Sequence, residues 1–528
     1  MGNSVERPEL VSAMLDPGFY PHSPDKVELR ETSTSWVFLA GALAYKVKKP
    51  VTFPFLNYGA PERRHEMCRE EIRLNRRLAS HIYLRVVGIA RDGGRHLLTA
   101  EDDSEAVEYA IEMRRVEEER SLEALVRNGR LQPTQVEAVA RRLAGFHADA
   151  AVAPRRFREI RVLVDSLEEN LATLREAGAD ILSADRLDAA RHFTHAFVAA
   201  NDRRLASRAR AGLVRECHGD LRAEHVIVPA KGDLYVYDCV EFNPALRNID
   251  IVSDLSFLVM DLTRLGADDL ASRLVAEYRR AGGDPGDDSL VSFFASFRAW
   301  VRAKTACLRA REPSQGDSER ALREREAREL FRLGHRFAWR ARGPLVLSLC
   351  GVAGSGKTTL ARELGTTSGW PRVSSDLTRK RLTGIRPTER AGPGQYSSEF
   401  TERTYREMGR SARQRLERHG GVIVDATFHR RYERDAFRAG LGDSSVPTLF
   451  VECRAPAEIL KARVGARASE PERVSDADVA IVERQLAELE PLEEVPARER
   501  SQLFTDAPTR KLLTEIESFV DRSAWRPR

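Results

Sequence analysis

Cysteine is scarce and never spaced for pairing: Cys68, Cys217, Cys239, Cys307, Cys350 and Cys453 are scattered through 528 residues, with no C-x-x-C among them. That excludes a disulfide framework or a zinc ribbon as the organising device and predicts buried thiols in a reducing compartment. Long apolar runs are missing as well, so no transmembrane helix is expected. No charged and apolar leader opens the sequence, and Glu6 stands where a myristoylation signal after Met1-Gly2 would need Ser or Thr. These absences together point to a cytoplasmic protein that does not engage a membrane. Charge of neither sign dominates: 85 Lys and Arg against 80 Asp and Glu leave a net +5, which permits a nucleic-acid partner without favouring one over a phosphorylated small molecule. Low-complexity tracts and internal repeats are also lacking, and 42% hydrophobic with 31% charged residues is the composition of a globular chain.

What is present centres on Leu345 to Leu364, L-V-L-S-L-C-G-V-A-G-S-G-K-T-T-L-A-R-E-L. An apolar run long enough for one buried strand meets a glycine-rich turn and then a helical pattern. Gly351, Gly354 and Gly356 let backbone N–H groups turn inward, and the following helix adds partial positive charge where phosphates would lie. The match to G-x-x-x-x-G-K-[S/T], the Walker A pattern, is complete. Ser355 and Gly356 belong to the cradle, Lys357 reaches β- and γ-phosphates, Thr358 offers a hydroxyl to Mg²⁺, and Thr359 completes the nucleotide-binding set.

Along the chain, residues 1–25 carry Pro8, Pro17, Gly18, Pro21 and Pro24 and are expected as irregular chain after a short helical patch. Residues 26–115 read as strands, one helix placing Met67, Glu71, Leu74 and Leu78 on one face, and more strands. From 116 to 317 the period is mainly helical, interrupted by H-G-D-L-R-A-E-H-V-I-V (His218 to Val228) and L-Y-V-Y-D-C-V-E-F-N (Leu234 to Asn243). Residues 318–343 form a densely charged helix whose Leu322, Leu330, Phe331 and Phe337 predict packing on a neighbour. From 344 to 528 strands and helices alternate, which argues a parallel α/β sheet.

Asp220 and His225 lie five positions apart, and Asp238 follows eighteen after Asp220. In protein-kinase-like phosphotransferases an Asp accepts the substrate hydroxyl proton, a residue five positions on holds Mg²⁺, and a second Asp on the next hairpin chelates Mg²⁺. On H-G-D-L, L-A-G-F-H (Leu143 to His147), A-Y-K-V and E-E-I-R-L, residues 25–335 resemble an aminoglycoside-phosphotransferase, or choline-kinase-like, domain. The resemblance implies Asp220 as the base, Lys46 on the α- and β-phosphates, Glu71 as its ion-pair partner, and Asp238 and His225 as metal ligands. Lys48 and Glu70 are the nearest alternatives, and Thr32 to Ser35 would cover the phosphates. His225 departs from the family's usual Asn, and imidazole suits hard Mg²⁺ less well than an amide oxygen, so one metal on Asp238 is an alternative to two. His218 reads as a brace for the loop, and Glu241 and Asp254 as supporting rather than catalytic residues.

Downstream of the glycine turn, S-S-D-L-T-R-K-R-L (Ser374 to Leu382), V-I-V-D-A-T-F and A-P-A-E-I-L-K-A-R-V-G-A-R (Ala455 to Arg467) resemble small P-loop kinases of the gluconate-kinase, polynucleotide-kinase and zeta-toxin group. That likeness implies Asp376 as the group that orients or deprotonates the acceptor, with Arg379 gripping it. It also implies Asp425 at a strand end as a Mg²⁺ site and Arg463 and Arg467 as lid arginines closing on phosphates. S-D-A-D-V reads as an N-cap. The fold class expected is α+β followed by α/β: a protein-kinase-like two-lobe domain, then a P-loop NTPase parallel sheet. The function expected is a bifunctional ATP- and Mg²⁺-dependent kinase acting on small-molecule hydroxyls such as a sugar, amino sugar or nucleoside-like compound. An ATP-sensing first domain that controls the second, or a toxin-type nucleotide-sugar or polynucleotide kinase, are the alternatives.

Overall fold

The computed structural model describes residues 8–53, 56–312, 316–389, 392–442, 445–466 and 477–525. The chain divides into two units, each assembled from two stretches: unit 1 is Met1–Val162 with Ala206–Gly286, and unit 2 is Leu163–Leu205 with Asp287–Arg528. No helix among the described residues is long and apolar enough to cross a membrane.

Unit 1 opens on strands β1 (Val27–Glu31), β2 (Ser35–Ala40) and β3 (Leu43–Lys48), followed by helix α1 (Pro61–Ala79) and strands β4 (Tyr83–Asp92), β5 (Arg95–Thr99) and β6 (Ala106–Arg114). They form one antiparallel sheet in the order β1-β2-β3-β6-β4-β5. The two-residue period of β3 sorts its side chains. Tyr45 and Val47 join a core with Phe38, Val87 and Ile89 on one face, while Ala44 packs with Cys68 and Ile72 of α1 on the other. Lys46 and Lys48 share the Ala44 face by that alternation. The short helical patch expected before Val27 is the helix Glu9–Met14, and with the turn after it this segment joins the first core, burying Val11, Met14 and Tyr20 against Phe38 and Tyr45.

The rest of unit 1 is helical apart from short strands. It contains α2 (Pro133–Asp149), the hairpin β7 (Val226–Ile227) and β8 (Tyr235–Val236), α3 (Ile251–Arg264) and α4 (Asp268–Arg280). α3 is buried continuously from Ile251 to Leu262. An antiparallel sheet with one helix, then a helical half carrying a short hairpin, is the protein-kinase-like two-lobe arrangement.

Unit 2 contains α5 (Asp288–Ala310) packed on α6 (Asp317–Arg342). Gly334 makes that packing possible, because a Cβ there would lie 2.2 Å from Trp300 Nε1. Leu330, Phe331 and Phe337 of α6 are buried as the pattern predicts, but Leu322 is 55% exposed, since it sits in the highly charged first turns. After α6 come β9 (Leu345–Cys350), α7 (Lys357–Ser368), β10 (Arg372–Ser374), α8 (Ser375–Thr383), α9 (Ser398–His419), β11 (Gly421–Asp425), β12 (Thr448–Arg454), α10 (Ala457–Ala466), α11 (Val479–Ala487), β13 (Arg500–Phe504) and α12 (Thr509–Ala524). The strands form one parallel sheet in the order β10-β11-β9-β12-β13. β9 lies in the middle with every residue buried, as a strand covered on both faces must be. β13 escapes a sequence reading because R-S-Q-L-F buries only Leu503.

Unit 2 is clasped by a buried ion pair. Arg342 at the end of α6 donates from Nε and Nη2 to the two oxygens of Asp521 on α12, at 2.7 and 3.0 Å. Its guanidinium also lies 4.8 Å from the ring centroids of Phe193 and of Trp339. Breaking such a pair from one side strands a buried charge and typically costs about 3–5 kcal/mol. Asp521→Ala should therefore lower unit 2 stability by about 3 kcal/mol or more, whereas Arg342→Met with Asp521→Leu should recover most of the loss. Tryptophan fluorescence during urea unfolding checks this, since Trp300, Trp339, Trp370 and Trp525 all belong to unit 2. A loss below about 1 kcal/mol in the single variant would remove the clasp from the account of stability.

Candidate active sites

In unit 1 the polar residues of β3, α1 and the segment after β8 meet in one buried cluster. Lys46 Nζ donates to Glu71 Oε1 and to Asp238 Oδ1, both at 2.8 Å. Lys48 Nζ donates to Glu71 Oε2 at 2.7 Å and pairs with Glu241, which also accepts from the Tyr58 hydroxyl. Both β3 lysines thus use Glu71, and the one that reaches Asp238 is Lys46. Glu70 faces elsewhere, bonding Arg73 and the Arg247 guanidinium. Burial alone would push the Lys46 ammonium down, but Asp238 and Glu71 hold it well above its ordinary value, and Glu241 with Glu71 does the same for Lys48. Burial alone would raise the Asp238 carboxyl, yet Lys46 and His225 keep it far below the usual carboxylate range. Asp238 also carries a left-handed backbone at φ 64°, which Asp tolerates better than most residues but which still costs free energy.

The loop that presents Asp220 is held from beneath by Asp254, in the first turn of α3. Asp254 Oδ1 accepts the Gly219 N–H at 2.8 Å, and Oδ2 accepts the His218 N–H at 3.0 Å and faces His147 Nε2 at 3.1 Å. His147 Nδ1 meets the Tyr278 hydroxyl at 2.8 Å. Among the described residues, His147, Cys217 and Asp254 are the group close enough to suggest a metal cage, but the Asp254 oxygens are engaged by amides and imidazole, so the group is a brace. Gly219 sits at φ 87°, and a Cβ there would lie 2.8 Å from the Leu246 carbonyl. His218 bonds the Tyr237 carbonyl through Nε2 at 3.0 Å, and burial lowers its pKa to about 4. The carboxylates of Asp220 and Asp238 stay partly open to solvent while Glu71 is wholly buried.

In unit 2 the cradle is made of backbone. Gly351, Gly354 and Gly356 have φ of 130°, 80° and 84°. A Cβ on Gly351 would come within 2.3 Å of the Cys453 carbonyl, so only glycine fits. Lys357 begins α7 and donates to the Val352 carbonyl at 2.9 Å, folding its ammonium over the loop. Thr358 is half-buried and Thr359 exposed in the first turn. Ser355 Oγ is fully buried and has no hydrogen-bond partner. Arg463 of α10 lies on the loop, donating to the Gly354 carbonyl at 3.4 Å and the Thr505 carbonyl at 2.7 Å. Asp425 ends β11, in register with Leu349 of β9 and Ser374 of β10, and Arg372 Nη1 is 3.9 Å from it. Asp376 opens α8 just beyond Ser374, at the same carboxyl end of the sheet. Arg379 is tied down, with Nη1 bonding the Gln395 carbonyl and Thr401 and its guanidinium against Tyr396. Arg467 and Ser475 lie outside the described residues, and Asp478 caps α11 through the Ile481 N–H.

The family model described as "AAA domain" matches residues 346–492. The proteins Rv2004c of Mycobacterium tuberculosis (strain H37Rv) and Mb2027c of Mycobacterium bovis are each 32% identical over 452 residues, which is 84% of this chain and 86% of theirs. The chain belongs to the family of these mycobacterial proteins. Among solved structures, a gluconokinase from Sinorhizobium meliloti is 21% identical over 35% of this chain and 95% of its own, with a TM-score of 0.26. A choline/ethanolamine kinase family protein from Mesorhizobium loti is 14% identical over 62% of this chain and 98% of its own, with a TM-score of 0.38.

The sequence places Lys46, Glu71, Asp220, His225 and Asp238 as one set, and in unit 1 they lie together. The members of the second set that are described, from Gly351 to Thr359 with Arg463, adjoin one another in unit 2, with Asp425 on the neighbouring strand. Two residues lie outside both sets. Gln485 of α11 accepts the Ala353 N–H of the cradle at 2.8 Å, and Arg222 bonds Asp220 Oδ2 at 2.9 Å. Nothing in the sequence marks Gln485, a polar residue in an ordinary helical period. Arg222 stands inside the Asp220 motif, where its charge beside the base is a legible signal.

Two measurements test the loop brace. Asp254→Ala leaves the His218 and Gly219 amides without acceptors, so their hydrogen exchange should quicken by at least about tenfold, the equivalent of a bond worth about 1.4 kcal/mol; unchanged protection would show that Asp254 does not hold the loop. His218 takes its proton near pH 4 when folded and near 6.5 when unfolded. Its contribution is complete above about pH 6.5 and is lost as pH falls toward 4, at up to about 1.4 kcal/mol per pH unit. Urea unfolding from pH 7 to 4.5 should show a gentler decline in His218→Gln than in the parent chain.

Proposed function

We propose that the chain is a bifunctional ATP-dependent phosphotransferase, with one site in each unit and small-molecule hydroxyl compounds as acceptors. The observation that carries the reading of unit 1 is Lys46, an ammonium held between Glu71 of α1 and Asp238 beside the Asp220 loop. A lysine so placed by three elements is positioned to meet α- and β-phosphates. Asp220, partly open to solvent, accepts the proton of the acceptor hydroxyl as its oxygen bonds to the γ-phosphorus and the bond to the ADP oxygen breaks.

Unit 1 fits a divalent cation, since Asp238 is kept ionised by Lys46 and turns Oδ2 toward His225 Nε2 at 3.6 Å. Asp238 would hold it. The orphaned Ser355 Oγ and the glycine cradle of unit 2 likewise suit a phosphate, with the Thr358 hydroxyl and Asp425 as the groups that would hold its Mg²⁺. When bound, the cation offsets phosphate charge in the transition state. Lys357 swings from the Val352 carbonyl to the β- and γ-phosphates, Arg463 stands beside the loop to meet them, and Asp376 orients the acceptor. A sugar, amino sugar or nucleoside-like acceptor is the class proposed for each site.

Each half has its own lysine and its own carboxylates, so the two activities should be separable in the full-length chain. Lys357→Ala should abolish ATP turnover by unit 2 and leave the Asp220 reaction near its original rate. Asp220→Asn should lower unit 1 turnover by about 10²-fold or more while nucleotide binding persists. Assaying both variants against a panel of hydroxyl acceptors gives four rates. If either substitution silences both reactions in a folded protein, independent kinases are excluded and an ATP-sensing unit that controls an enzyme replaces them.

A further inference from the structure

Kinase sites of this type ordinarily hold two divalent cations, one on the hairpin Asp and one on the catalytic-loop residue five positions after the base. In unit 1 that second place is filled by the chain itself. Arg222 has a largely buried side chain, and its guanidinium reaches three groups at once. Nε donates to Asp220 Oδ2 at 2.9 Å, Nη1 pairs with Glu224, and Nη2 donates to His225 Nε2 at 3.0 Å. The other face of His225 is fixed too: Nδ1–H donates to the Asp220 carbonyl at 2.9 Å, so Nε2 presents a lone pair. That lone pair, which a metal would need, is the one Arg222 takes. Asp220, Glu224 and His225 are thus gathered around a guanidinium in the manner in which they would gather around a cation.

We propose that the Arg222 guanidinium is the resident second cation of the unit 1 site, so that this site operates with a single divalent cation, held by Asp238. The proposal rests on the reading of unit 1 as a nucleotide-using phosphotransferase. It explains why His225 can replace the amide expected there. An imidazole lone pair is a poor ligand for Mg²⁺ but a good acceptor for a guanidinium N–H. Because arginine keeps its charge at any physiological pH, the site would carry this positive charge whatever the metal supply.

The test counts metal rather than turnover. In the full-length Lys357→Ala chain, which weakens the unit 2 nucleotide site, bound Mn²⁺ is measured by electron paramagnetic resonance and a radiolabelled β,γ-imido ATP analogue by equilibrium dialysis. Mn²⁺ favours carboxylate oxygens such as those of Asp220 and Glu224, so it would occupy the place if it were open. With Arg222 present the ratio should be about one Mn²⁺ per nucleotide. Arg222→Ala and Arg222→Gln, each added to Lys357→Ala, should raise it to about two, and Arg222→Lys should hold it near one. Two Mn²⁺ per nucleotide with Arg222 in place, or one in every variant that still binds nucleotide, would overturn the proposal while leaving unit 1 a nucleotide site. Nucleotide binding that disappears with Lys357→Ala and is untouched by Lys46→Ala would overturn the nucleotide reading of unit 1 and the proposal with it.

Discussion

Two ammonium groups on one face of one strand, both inside the protein, set the terms for unit 1. Lys46 and Lys48 stand two residues apart on β3, and neither can stay charged there without a carboxylate. Glu71 answers both, one oxygen to each, and Asp238 and Glu241 supply the second partner of each lysine. The strand, the helix α1 and the segment after β8 are therefore fastened at one point by charge, and the Asp238 carboxylate takes its position from a structural requirement. Removing Glu71 would leave each buried lysine with one carboxylate instead of two, so the pairing of the sheet with the helix depends on it.

Unit 2 is built by another route. Its cradle depends on backbone N–H groups and on glycines at φ of 80° to 130°, and at Gly351 and Gly354 neighbouring carbonyls lie so close that no side chain could be added. Charge comes last, from Lys357 and Arg463. In unit 1 the side chains determine the backbone position, and in unit 2 the backbone determines where the side chains act. Two unrelated ways of gathering positive charge therefore stand in one chain.

The legible parts of the sequence were those in which local pattern and chemistry coincide. The strand, glycine turn and helix around Gly351 to Lys357 could be read directly, because a parallel central strand is uniformly apolar and its turn needs glycine. The choice of Lys46 and Glu71 over Lys48 and Glu70 rested on motif likeness, and the structure shows why it was close: both lysines use the same glutamate. Elements with no pattern of their own stayed hidden. β13 is a polar edge strand whose place is fixed by β12, and the burial of Tyr20 in the proline-rich segment before Val27 is a tertiary contact that no local pattern announces. Gln485 reaches the Ala353 amide from more than a hundred residues away, and such long-range pairs leave no trace in spacing. Leu322 was read from a helical period that does not distinguish a covered turn from an open one.

The two units are interleaved along the chain, since Leu163–Leu205 belongs with Asp287–Arg528. In unit 2, Arg186 bonds Glu517 of α12 and Phe193 packs on Trp525, so residues synthesised before the end of unit 1 complete a unit finished only at the last helix. A gene cut at one place cannot give each product a whole unit. Cut after residue 286, one fragment keeps an orphaned pair of helical stretches and the other lacks the partners of its final helix. Separation of the two units by a single cut is correspondingly obstructed, and they are inherited together.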